Sequence, residues 1–243
     1  MKGPKFKAPK GLGLPKGKIK DHLKLPKEKI NKRSPNPSNY FVNVCVYILP
    51  GAQIENNRIS KDFATAKNIW GFEFRTVVHD LRTNPDGTPN TDPQFQVDTT
   101  DLECSNTLPD TPKETDLIIF GARNCARSNP SHIIVFYTGA PIIQGDIRAC
   151  TKFRALFNII FLSNTFAPDT LAHEFGHTFF NANASLVGKN PYKPLPSDPV
   201  HSSDNSNIMA PGTTRNEKTT ANFKLQVTSA IAANNPRVVF PKN

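Results

Sequence analysis

Within LAHEFGHTFF, residues 171–180, two histidines flank a glutamate: His173, Glu174 and His177. Residues four apart share one side of a helix, so the two imidazoles can converge on a single ion. Zinc accepts imidazole nitrogen readily, and a catalytic zinc keeps three protein ligands and leaves a fourth position for water. Glu174 follows the first ligand and is turned about 100° around the helix, where its carboxylate faces that water rather than the metal. It is the candidate general base, which takes a proton from the metal-bound water and passes it to the leaving amine of a cleaved peptide bond. A third ligand is still required. The position six residues after His177 holds Asn183, a poor zinc donor, while Asp198, His201, Asp204 and Glu217 follow further on.

Downstream, HSSDNSNIMAPG at 201–212 places a histidine ahead of a methionine, Met209. Together with the His-Glu-x-x-His helix, this stretch resembles the metzincin clan of zinc metallopeptidases, in which a later histidine completes the metal shell above a methionine turn. The resemblance implies that His173, His177 and His201 bind one catalytic zinc ion, that Met209 floors the site, and that the chain is an endopeptidase acting on protein or peptide substrates. It also implies an antiparallel edge strand that pairs with extended substrate, for which Asn158 to Ser163 is the candidate, and a C-terminal helix. This sequence departs from the clan at two places. Phe180 stands where the clan has a helix-ending glycine, and 23 residues separate His177 from His201 where five are usual. Glu217 offers the alternative of a gluzincin-type third ligand, and a metal-stabilised binding or effector domain without turnover is a second alternative.

The elements that must carry these residues are legible in outline. Asp169 or Thr170 can cap the site helix, and Leu171, Phe175, Thr178 and Phe179 form the apolar stripe that anchors one side of it. Tyr40 to Leu49 reads as a strand ending at Pro50-Gly51; Ile59, Phe63, Ala66, Ile69 and Trp70 keep helical spacing; FEFRTVVHDL at 72–81 alternates as a strand. Residues Arg82 to Lys113 read as a long surface loop. The apolar runs at 116–121, 132–139 and 158–164 read as buried strands. The expected class is α/β (α+β), a mixed sheet with helices packed on it, and the resemblance to metzincins implies that the sheet is mostly parallel.

The net charge of +10 is unevenly placed: 12 of the 30 Lys and Arg residues, but only Asp21 and Glu28 of the 20 acidic ones, precede Asn39. Residues 1–38 therefore read as a basic, proline-rich flexible arm able to contact an acidic surface, nucleic acid or anionic lipid, and 39–243 as one monomeric catalytic domain. Neither a Sec-type signal nor an apolar stretch near 20 residues is seen, so no transmembrane segment is expected. Secretion by another route is what the resemblance implies, with a cytoplasmic location as the alternative. Cys45, Cys104, Cys125 and Cys150 form no CxxC pair and leave two disulfides or four thiols open. His22, His79 and His132 read as structural or solvated.

Overall fold

The computed structural model describes residues 36–104, 109–125, 133–153, 158–180, 194–195, 198–212, 223–235 and 238–242. All lie in the unit that begins at Ser34. Most of the basic arm, His22, His132, Asn183 and Glu217 fall outside the described residues.

In chain order the elements are β1 (Tyr40–Ile48), α1 (Arg58–Trp70), β2 (Glu73–Asp80), α2 (Pro112–Cys125), β3 (Ile133–Tyr137), β4 (Ala149–Phe153), β5 (Asn158–Leu162), α3 (Thr170–Phe180), β6 (Pro194–Leu195), β7 (Asp198–Ser202), α4 (Phe223–Ala232) and β8 (Phe240–Pro241). The main sheet runs β2-β1-β3-β5-β4, with β8 added against the start of β1. β1, β2, β3 and β5 are mutually parallel, and β4 runs antiparallel to β5 at the edge. β6 and β7 form a separate antiparallel pair. This is the mixed, mostly parallel α/β architecture expected from the sequence.

Strands covered on both faces read as near-continuous apolar runs. On β1, Val42, Val44, Val46 and Ile48 enter the cluster shared with α1 and α3, while Cys45 and Tyr47, with Leu49 just after the strand, enter the cluster shared with α2. β3 and β5 alternate the same way: Val135 and Ile160 face the first cluster, Phe136 and Phe161 the second. The segment between β2 and α2 is packed as well as long, because Phe95, Val97 and Leu102 are buried in the second cluster.

Two expectations are corrected. The run at 116–121 is helical and lies inside α2. Thr111 and Glu114 form a reciprocal cap, in which the Glu114 amide donates to Thr111 Oγ1 (3.0 Å) and the Thr111 amide donates to Glu114 Oε2 (2.9 Å). Pro112 at the first helical position has no amide hydrogen to lose there, and the burial of Leu117, Gly121 and Cys125 follows the helical period. The long loop accordingly ends before Pro112. The second correction concerns the edge strand. β5, at 158–162, is internal, paired with β3 on one side and β4 on the other, so the antiparallel edge is β4, a strand the sequence did not disclose.

Cys45 is bonded to Cys125 (Cα–Cα 6.2 Å) and Cys104 to Cys150 (5.6 Å), which fasten α2 to β1 and the long connection to β4. Each such crosslink contributes about 2–4 kcal/mol by restricting the unfolded chain. Among the described residues no helix is long and apolar enough to cross a membrane.

Candidate metal centre

α3 carries the first two histidines. The Asp169 carbonyl accepts the His173 amide (3.0 Å), so Asp169 occupies the N-cap position, while Thr170 Oγ1 accepts the Ala167 amide (2.9 Å) and shapes the turn ahead of it. The helix is buried on nearly every side, not along one stripe, and only His177 is partly exposed. α1 covers it, with Trp70 Nε1 donating to the Ala172 carbonyl (2.8 Å), and Phe180 packs edge-on to Trp70 (5.8 Å) where the resembled clan has glycine. This helix packs against α1, β4 and α4, so the imidazoles are carried on a buried element.

His201 arrives on β7 from the other end of the site. The Ser202 amide donates to the Met209 carbonyl (2.8 Å), and Asn207 Oδ1 accepts the Met209 amide (2.9 Å), so the strand and the methionine turn are stitched together. Met209 is fully buried beneath α3, against Gly176. A side chain at Gly176 would collide with the Met209 sulfur and press on Trp70, which accounts for glycine in the middle of a helix.

His173 Nε2 lies 3.1 Å from His177 Nε2 and 3.2 Å from His201 Nε2. His173 Nδ1 sits 2.7 Å from the Ile208 carbonyl, which can only accept, so this nitrogen bears the proton and Nε2 presents its lone pair to the other two rings. One lone pair cannot bond two neighbours, whereas one cation can be shared by all three nitrogens. Nitrogens roughly 2.0–2.1 Å from a tetrahedral zinc stand about 3.3–3.4 Å apart, close to the spacing observed. His173, His177 and His201 thus form a cluster that could hold a metal ion, with one ligand atom from each lying within 4.8 Å of the others.

Glu174 is buried, and Thr151 Oγ1 on β4 donates to its Oε2 (2.7 Å). Asp204, a rival oxygen donor, accepts Ser206 N (3.0 Å) and Ser206 Oγ (2.6 Å) inside its own turn and is not part of the histidine cluster. Asp198 lies on β7, and Glu217 and Asn183 are outside the described residues. His79 stacks on Tyr47 (4.9 Å) within the sheet layer and has no part in the site. Sequence reasoning missed Thr151, Ile208 and Gly176. The interior glycine of HEFGH was a signal of close packing; Thr151 and the Ile208 carbonyl carried none, since both act only through distant contacts.

Compared with models of known protein families and with curated protein sequences, the chain matches none.

Proposed function

We propose that this chain is a zinc-dependent endopeptidase of metzincin type. The observation that carries the reading is the convergence of His173, His177 and His201 through Nε2, with a buried carboxylate one residue after the first of them. A three-imidazole set suits zinc, and these three residues would hold it. When bound, zinc supplies a Lewis acid that acidifies water and polarises a peptide carbonyl. Glu174 takes one proton from the attacking water and delivers it to the leaving amine, so it ends the cycle as it began. β4 is the last strand of the main sheet among the described residues, and an extended protein or peptide substrate is proposed to lie along it. The two disulfides suit an oxidising compartment. The basic arm is proposed as a contact for an acidic surface.

The test is zinc stoichiometry measured beside cleavage of an unfolded protein, for the parent chain and for Glu174→Gln. About one zinc per chain is expected in both, with turnover lower by roughly two to four powers of ten in the variant, because the base is lost and the ligands remain. Zinc without turnover in the parent would overturn the peptidase reading in favour of a metal-stabilised binding domain.

A further inference from the structure

We propose that Thr151 is the positioning residue for Glu174, held in place by two anchors on the opposite face of β4; this rests on Glu174 acting as the base. Successive residues of a strand point to opposite faces. In β4, Cys150 and Lys152 are paired with Phe161 and Ile159, whose side chains lie in the α2 cluster, and Thr151 is paired with Ile160, whose side chain lies in the α3 cluster. Thr151 is therefore aimed at α3. Its hydroxyl donates to Glu174 Oε2 at 2.7 Å, a well-formed hydroxyl-to-oxygen hydrogen bond, and the same Oγ1 lies 3.3 Å from the Glu174 carbonyl oxygen. One hydroxyl thus lies against both the backbone and the carboxylate of one residue, and its hydrogen bond narrows the arrangements open to a side chain with three rotatable bonds.

The neighbours of Thr151 keep the strand from rotating or sliding. Cys150 is bonded to Cys104. Lys152 is completely buried, with Nζ 3.3 Å from Glu114 Oε1 and 3.4 Å from Asp110 Oδ1. A one-residue slip of β4 would bury Thr151 among apolar groups and turn Lys152 toward the histidines. The strand at the edge of the described sheet is thereby given a defined register beside the base.

The experiment compares Thr151→Val and Thr151→Ser in the zinc-loaded full chain. Loss of a hydrogen bond to a charged group predicts kcat about tenfold to a hundredfold lower in T151V, with KM and zinc content unchanged, and recovery of most of the loss in T151S. The second readout needs no turnover. The infrared carboxylate band assigned to Glu174 by its loss in Glu174→Gln should move in T151V and return in T151S. A T151V chain with parental kcat, a T151S chain as impaired as T151V, or an unmoved band overturns the proposal. If T151V does not fold, T151A against T151S makes the same comparison. If the parent cleaves nothing, the peptidase reading fails by itself, while the band still decides whether Thr151 orients Glu174.

Discussion

His173 has one ring nitrogen against the Ile208 carbonyl and the other against His177 and His201, so a turn far along the chain decides which nitrogen is offered to a metal. An orienting partner of this kind both selects the tautomer and raises the donor strength of the ligand. His201 has equal weight in the proposed site. Removing one of three donors leaves a two-histidine site that competes poorly with water and chelators. His201→Ala should accordingly lose zinc in a graded chelator series at concentrations that leave the parent loaded, while Glu217→Ala and Asn183→Ala hold it like the parent. Zinc retained by His201→Ala and lost by Glu217→Ala would replace the metzincin reading with the gluzincin one.

Among the elements, α2 shows how a few terminal contacts can outweigh a misleading interior. The run at 116–121 is short and apolar, and such runs do not distinguish a strand from a buried helix by periodicity. The cap at Thr111 and Glu114 decides for the helix, and Gly121 lets it approach Ile134 and Phe136 of β3 closely. Glu114 extends the influence of that cap, since its carboxylate also accepts the Glu103 amide (2.8 Å) and pairs with Lys152. Thr111→Ala removes the hydroxyl that accepts the Glu114 amide and should lower unfolding stability by about 1 kcal/mol. Denaturant titration checks this, with zinc content expected to stay at the parental value because no ligand lies on α2.

For the molecule as a whole, the histidine site sits on one face of a sheet whose layers are joined by buried polar contacts as well as by apolar packing. Tyr137 Oη donates to Asp62 Oδ2 (3.0 Å), and Arg58 Nη2 donates to the Ser163 carbonyl (2.8 Å), joining α1 to β3 and to the chain that leads into α3. Burial pushes the Asp62 carboxyl up to about 6, against the opposing pull of Arg58 and the Tyr137 hydrogen bond. Its folded pKa is above the unfolded value, so the folded state binds this proton more tightly. The contribution of Asp62 to stability therefore rises as pH falls from about 7 toward 4 and flattens below the ordinary carboxylate range. Unfolding measured across that window should show this slope in the parent and a weaker one in Asp62→Asn; equal slopes would refute the assignment.

The sequence alone determined what consecutive residues can encode: the His173, Glu174 and His177 spacing on one helix, the alternation in β1, and the helical stripe of α1. Each depends on a local hydrogen-bonding period that repeats within a few residues. His201 was legible as a candidate ligand only by resemblance, because 23 residues lie between it and His177. Closing such a loop costs little more than closing a shorter one, so chain distance does not select the partner. Sheet order decided the rest. It made β4 the edge and β5 internal, brought Cys45 to Cys125 and Cys104 to Cys150, and turned Thr151 toward Glu174. Those contacts join segments that carry no shared period, and only packing of the whole chain brings them together.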